Sequence, residues 1–325
     1  MLCLSERLFD HHSGFGGDMN TVGIISTVKA PTSQLYLFVN YHFNIGIDYI
    51  ILFFDDPEDE SIDLFSYNNN ICIIRCSAEY WRERAGGRPK SIEERQIVNV
   101  NQGAKYLLLK KYNWLIHIDS DELLNPLQPL KKILINCNAD ALRFSVLEAV
   151  SERNKYDHIF LPTLFKKKAS DVQILLAKKL GCSNAIFDGE YFRSHTASKM
   201  AIKISNNINK YGIHEPLTDN MIVIEDTKKI QLLHYDCVDI DTWKLKWDRR
   251  LDGSGKAIDM RDNRKSQLLL YKKAKREGEL QLSILFMKMH GIRRRERWLL
   301  YLLGMLKPVK LNYRLFEHQD MKINE

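Results

Sequence analysis

Short apolar runs alternate with longer stretches whose apolar residues recur at helical spacing. Residues 22–28 (Val-Gly-Ile-Ile-Ser-Thr-Val) have the length and branched side chains of a buried strand. From Thr32 to about Ile45, Leu35, Phe38, Val39, His42 and Phe43 repeat on one helical face, and Gly46 closes the helix. Tyr49 to Phe54 predicts a second strand, ending on Asp55 and Asp56, and Ile71 to Ile74 a third. Ser91 with Glu94 is a capping-box pattern. It opens a helix to about Lys111, with Ile97, Val100, Ala104, Leu107 and Leu108 along one side. Trp114 to Ile118 follows as a fourth strand. This alternation predicts a mainly parallel sheet covered by helices, the α/β class, whose ligands bind at the carboxyl ends of the strands.

Three of those ends are polar. Ser26, Thr27 and Lys29 follow the first strand, Asp55 and Asp56 the second, and Asp119, Asp121 and Glu122 the fourth. Like charges this close repel unless something positive joins them. A hard divalent cation with oxygen ligands is one candidate, and a plain acidic turn is the bland alternative. No G-x-G-x-x-G follows the first strand and no P-loop occurs anywhere, which disfavours dinucleotide-binding enzymes and P-loop NTPases. Gln96, Asn99 and Asn101 lie off the apolar face of their helix and read as solvated surface. His42, on the apolar side of its helix, reads as a core histidine, and His117 as a packing residue.

The later chain is less regular. Ala139 to Val146 predicts a strand, Pro162 to Lys168 a turn with a basic run, and Lys199 to Ile204 another strand. Gly212-Ile213-His214-Glu215-Pro216 is a turn around a histidine, and Gln231 to Tyr235 a short strand with His234 near its end. Asp188-Gly189-Glu190 precedes Tyr191, Phe192 and Arg193.

Composition adds few constraints. The 325 residues carry a net charge of +7, and six scattered cysteines lack metal-ligand spacing, so reduced thiols and a cytosolic setting are expected. The N-terminal stretch lacks the apolar core of a secretory signal, and no run is long enough to span a bilayer. Residues 284–316 mix apolar runs with Arg293, Arg294, Arg295, Arg297, Lys307, Lys310 and Arg314 around Trp298. That composition suits an anionic membrane surface, or a helical pair packed on the domain or on a partner chain. The basic cluster is compact and carries no nucleic-acid motif, so no nucleic acid is expected as partner.

Taken in order, Val22 to Lys29, Leu35 to Gly46 with Tyr41 and His42, Ile50 to Asp55, Arg95 to Asn101 and Trp114 to Leu123 resemble the segments of GT-A glycosyltransferases. The similarity is to the bacterial family-2-like and family-92-like groups. Gly212-Ile213-His214 and Leu233-His234-Tyr235 resemble their C-terminal histidine motifs. Leu123 stands where an aromatic is more usual, and Ala30-Pro31 replaces an Asn-Glu pair.

The resemblance implies a Rossmann-like GT-A catalytic domain over residues 21–250. Its nucleotide-binding half would be 21–125 and its acceptor half 126–250. An N-terminal extension 1–20 would precede it, and a basic helical extension 251–325, meeting the membrane, would follow. The implied activity is metal-dependent, inverting transfer of a sugar from a UDP-linked nucleotide-sugar to a glycan or glycolipid such as lipopolysaccharide or capsule. It would take place in the cytoplasm, at the inner face of the cytoplasmic membrane. Thr27, Lys29, Asp55, Asp56 and Asp119 are the expected nucleotide contacts. Asp119, Asp121 and His214 are the expected ligands of Mn2+ or Mg2+. The base that takes the acceptor proton is expected at Asp188 or Glu190, because Tyr191 and Phe192 beside them offer faces for a sugar. Two alternatives stand beside this: a nucleotidyltransferase making sugar nucleotides, and a non-catalytic glycan- or membrane-binding scaffold. The former usually opens with a glycine- and arginine-rich loop, where this chain has Lys29-Ala30-Pro31-Thr32.

Overall fold

A computed structural model describes residues 20–182, 185–192, 198–205, 208, 210–218, 221–252 and 262–317. The expected N-terminal extension lies outside them but for Asn20, as does Arg193. In chain order the first elements are β1 (Val22–Val28), α1 (Thr32–Asn44), β2 (Tyr49–Phe54), α2 (Ile62–Phe65), β3 (Ile71–Arg75), α3 (Ala78–Ala85), α4 (Ile92–Leu109), β4 (Trp114–His117) and β5 (Glu122–Pro126). Then come α5 (Leu130–Ile135), β6 (Ala141–Ala149), β7 (Leu164–Lys167), α6 (Asp171–Lys179), β8 (Met200–Lys203), β9 (Lys210–Tyr211), β10 (Pro216–Leu217) and β11 (Ile224–His234). The chain continues through α7 (Ile240–Leu251), α8 (Asp262–Glu277), α9 (Glu279–His290), α10 (Arg294–Leu302) and β12 (Leu306–Pro308) to a 3-10 turn at Tyr313–Phe316.

The elements form two units that are interleaved in sequence. One comprises residues 1–145, 197–232 and 312–325, and the other 146–196 and 233–311. In the first unit β1 lies between β2 and β4, parallel to both, with Ile24 beside Ile50 on one side and Ile116 on the other. β3 extends the parallel set beyond β2, β8 runs antiparallel to β4, and the start of β6 pairs with β8. This is the mainly parallel α/β sheet expected from the alternating pattern, and every residue of β1 and β2 is buried. Ile25, Ile51, Phe53, Trp81, Val100, Leu107 and Leu115 form the core between this sheet and the helices.

α4 packs against β1 so closely that Gly23 has no room for a side chain. A Cβ there would lie 2.6 Å from Cδ1 and 2.7 Å from Cδ2 of Leu107, itself fully buried. Gly23→Ala is therefore expected to lower stability by about 1–3 kcal/mol, the usual cost of overpacking, read as a shifted urea midpoint at constant slope.

α1 buries His42 as a core residue. Its Nδ1 donates to the Phe38 carbonyl at 2.7 Å, and its Nε2 accepts the Leu124 N–H at 3.3 Å. Burial pushes its pKa down to about 3, against the pull of the Phe38 carbonyl. The folded chain thus refuses a proton that the unfolded chain accepts below about pH 6.5. Stability present above that pH should fall with acid by about 1.4 kcal/mol per pH unit from this residue alone. His42→Gln should flatten that slope in urea titrations at successive pH values.

In the second unit β7 sits between the end of β6 and β12, antiparallel to each. The basic run at 162–168 therefore contains a strand rather than only a turn, because one of its lysines points inward. Lys166 is buried with its ammonium 3.4 Å from Glu148. One core joins Trp243, Trp247, Tyr271, Leu282, Leu285, Phe286 and Met289. Helices on both sides of residue 250 share it. A second core holds Ala177, Cys182, Tyr191, Ile292, Leu300 and Met305. Among the described residues no helix is long and apolar enough to cross a membrane.

Candidate active site

One helix organises the carboxyl end of the parallel sheet. α4 starts at Ser91, whose hydroxyl accepts the Glu94 N–H at 3.1 Å while Glu94 Oε2 accepts the Ser91 N–H at 3.1 Å. This reciprocal cap fixes the start of the helix whose next turns carry the polar side chains. Arg95 Nε lies 2.9 Å from Asp55 Oδ1, at the end of β2. Gln96 donates through Nε2 to Asp119 Oδ1 at 2.5 Å, just beyond β4. Asn99 donates through Nδ2 to the Thr27 hydroxyl of β1 at 3.0 Å and accepts the Tyr80 hydroxyl at 2.7 Å. Asn101 exchanges two hydrogen bonds with the backbone of Tyr211, at 2.8 and 2.9 Å, just before the turn that carries His214. Gly212 is obligatory in that turn, since a Cβ would lie 2.3 Å from the Glu215 carbonyl oxygen.

Gln96 and Asn99 are buried and Asn101 is half-buried, which corrects the reading of all three as solvated surface. Their helix turns its polar face to other protein groups. Asp55 is also buried, and Arg88 completes its neutralisation at 2.8 Å from Oδ2. Asp56 pairs with Lys29 at 3.6 Å on the surface, an exposed contact of little energetic weight.

The acidic cluster after β4 has a cation of its own. Lys199, beside β8 and only 4% exposed at its side chain, sets its ammonium 3.0 Å from Asp119 Oδ2 and 3.9 Å from Glu122 Oε2. Burial alone would lower its pKa, but Asp119, and after it Glu122, outweigh burial and hold it above the ordinary lysine value. The same ammonium lies 3.3 Å from His117 Nδ1, so that nitrogen is the acceptor and the ring proton sits on Nε2. Burial first, then the Lys199 charge, drive the His117 pKa down to about 3. His214 is near enough to add a smaller push in the same direction. Glu122 supports the loop by accepting the Asp119 N–H at 2.9 Å, and Gln34 of α1 donates to the Ser120 carbonyl at 2.9 Å.

Within the first unit, then, α4 ties Thr27, Asp55 and Asp119 together and fixes the turn that carries His214, while Asp121 lies half-buried in the loop. Sequence reasoning missed Lys199, Arg88 and the polar face of α4. The capping box was the one local signal that placed that face.

Asp188 and Glu190 belong to the second unit. Asp188 and Gly189 both have positive φ, and the Glu190 N–H donates to the Phe187 carbonyl at 3.0 Å. That is a tight turn of the Asp-Gly type. Asp188 Oδ2 accepts the Ser266 hydroxyl at 2.6 Å. The aromatic argument for this pair fails for Tyr191, which is buried with its hydroxyl on the Met305 carbonyl at 2.8 Å and has no face to offer a sugar.

No protein-family model matches the sequence, and no curated protein matches it either. Among solved structures, the chain is similar to a fragment of S. aureus TarS, residues 1–349. The match covers 78% of this chain and 71% of that one, at 12% identity and a TM-score of 0.35. It is also similar to a 4-diphosphocytidyl-2C-methyl-D-erythritol synthase, over 43% of this chain and 67% of that one, at 13% identity and a TM-score of 0.27. A third is the bifunctional glycosyltransferase WbbM, over 59% of this chain and 32% of that one, at 11% identity and a TM-score of 0.26. These are remote likenesses with no bearing on substrate or cofactor.

The cluster after β4 fits a divalent cation by charge and by donor type. Asp119, Asp121 and Glu122 face one ammonium, so two negative charges remain, the charge of one such ion. Carboxylate oxygens suit Mn2+ or Mg2+. Asp119 already contacts Gln96 and Lys199 through its two oxygens, so Asp121 is the side chain of this loop that would hold the ion. Among the described residues no three His, Cys, Asp or Glu side chains form a ready-made cage. Further oxygens would come from water and from a bound diphosphate.

Proposed function

We propose that this chain is a metal-dependent, inverting glycosyltransferase that moves a sugar from a UDP-linked donor to a bacterial surface glycan or glycolipid. The observation that carries the reading is the gathering of Thr27, Asp55 and Asp119, from three adjacent parallel strands, onto one face of α4. A nucleotide laid across strand ends needs polar groups at each of them, fixed before it arrives. Asp55, held between Arg88 and Arg95, would receive the base or ribose, with Thr27, Lys29 and Asp56 along the same edge. Asp119 would lie on the ribose side.

Asp121 and His214 would hold Mn2+ or Mg2+, which supplies positive charge to the departing diphosphate. Every other contribution belongs to the chain. Lys199 holds Asp119 in place, and His117 stays neutral beside it. Asp188 and Glu190 stand as the two acids proposed to take the acceptor hydroxyl proton.

A thermal-shift titration with UDP, with and without Mn2+, tests the reading, because a ligand that binds only the folded state raises its melting temperature. UDP should shift the transition more with Mn2+ than without. The absence of any nucleotide shift under either condition would point to a non-catalytic scaffold.

A further inference from the structure

Two helices of the second unit turn apolar rows outward. On α6 the row is Val172, Leu175, Leu176 and Leu180, spaced for one helical face, with Val172 66% exposed. On α10 it is Trp298, Tyr301 and Leu302, with Trp298 71% and Leu302 79% exposed. The opposite sides of both helices sit in one core, where Ile174 and Ala177 meet Leu299, Leu300 and Leu303. Gln173 fastens them, its amide donating to the Leu303 carbonyl at 2.8 Å. The two rows therefore flank one core, joined by that hydrogen bond.

The charges around the rows have one dominant sign. Lys168, Lys178 and Lys179 are exposed at α6, and Arg293, Arg294 and Arg295 at α10. Asp171 is the exposed acid of α6, and the acid of α10, Glu296, is buried. A tryptophan and a leucine mostly exposed on one helix face make an apolar patch that marks an interaction surface. A second copy of the chain, meeting this surface about a two-fold axis, would bring basic rim against basic rim. A bilayer with anionic head groups matches both features, since it takes apolar side chains at its interface and lysine and arginine at its surface.

We propose that α6 and α10 together dock this chain on an anionic membrane surface. Val172, Leu175, Leu176, Trp298 and Leu302 enter the interface, and Lys178, Lys179, Arg294 and Arg295 meet the head groups. This assignment differs from the tail 284–316 expected from sequence. It adds α6, which lies far upstream, and sets aside α9, whose Leu282, Leu285, Phe286 and Met289 are buried in the protein. It makes no use of the transfer chemistry, so it stands or falls separately from it.

Flotation of the full chain with phosphatidylcholine vesicles, with and without about 30 mol% phosphatidylglycerol, tests the proposal. Binding is expected only with the anionic lipid, and about 0.5 M salt should weaken it. Each basic residue at such a surface contributes about fivefold to partitioning, so Arg294→Gln with Arg295→Gln should reduce binding about twentyfold or more. Trp298→Ser with Leu302→Ser, and Leu175→Ser with Leu176→Ser, should each reduce it at least about fivefold. All three double variants replace exposed side chains and should keep the wild-type melting temperature and UDP shift. Failure to bind anionic vesicles overturns the proposal, and so does full binding by either serine pair. Concentration-dependent dimerisation in analytical ultracentrifugation, lost in the same variants, would also overturn it and assign the surface to a second copy.

Discussion

Replacing Lys199 by methionine is expected to cost about 3 kcal/mol of stability and to enlarge the thermal shift that Mn2+ produces. The methionine keeps the length of the side chain and removes only the charge. Glu122 is buried and Asp119 partly so, and without the ammonium their like charges repel where water screens them poorly. Removing one partner of a buried ion pair typically costs 3–5 kcal/mol, and the exposure of Asp119 favours the lower figure. The same loss leaves three negative charges where there were two, so an added divalent cation gains a stronger site. Lys199→Arg, which retains the charge, should resemble the wild type in its Mn2+ response even where packing lowers its melting temperature. An Mn2+ shift that is unchanged or smaller in Lys199→Met would show that Lys199 does not serve as the resident cation of this cluster.

Asp121→Ala should act oppositely, leaving the fold intact and removing function. Asp121 is half-buried and its pull on Lys199 ranks after those of Asp119 and Glu122, so urea unfolding should change less than in Lys199→Met. If its carboxylate holds the ion that receives the leaving charge, several kcal/mol of transition-state stabilisation disappear, a loss of about 10²–10³-fold in turnover. The Mn2+-dependent part of UDP binding should vanish with it in calorimetry, while any metal-independent heat persists. Unchanged turnover with a UDP-sugar would remove Asp121 from the chemistry.

What could be read from the sequence follows from which forces act locally. The four strands up to β4 and the helices α1 and α4 were legible because burial on both faces of β1 and β2 demands continuous apolar runs, and helices that cover them show their period. His42 was legible as a core histidine for the same reason. α3 escaped notice because only Trp81 of its residues is buried, too little to make a pattern. The polar face of α4 escaped for a different reason. Periodicity shows which side of a helix is not apolar, but a side turned to Asp55 and Asp119 looks the same as one turned to water. Lys199 could not have been found at all, since it meets Asp119 only through the antiparallel pairing of β8 with β4. The acids at 119–122 announced that a positive charge was needed, and a long-range contact supplied part of it from within the chain. Tyr191 shows the converse error, because an aromatic beside two acids suggested a sugar face and packing had already used it.

The 3-10 turn at Tyr313–Phe316 has a consequence for the order of synthesis. Asn44 of α1 donates its amide to the carbonyls of Leu315 at 2.9 Å and Glu317 at 3.0 Å, and Phe316 lies 5.1 Å from the ring of Tyr41. α1, the first helix among the described residues, thus finds its covering residues only after some 270 further positions have been translated. Until then α1 exposes an apolar flank. A nascent chain of this kind should need chaperone shelter for most of its translation, and a messenger truncated before Tyr313 should give aggregates rather than a shorter working protein.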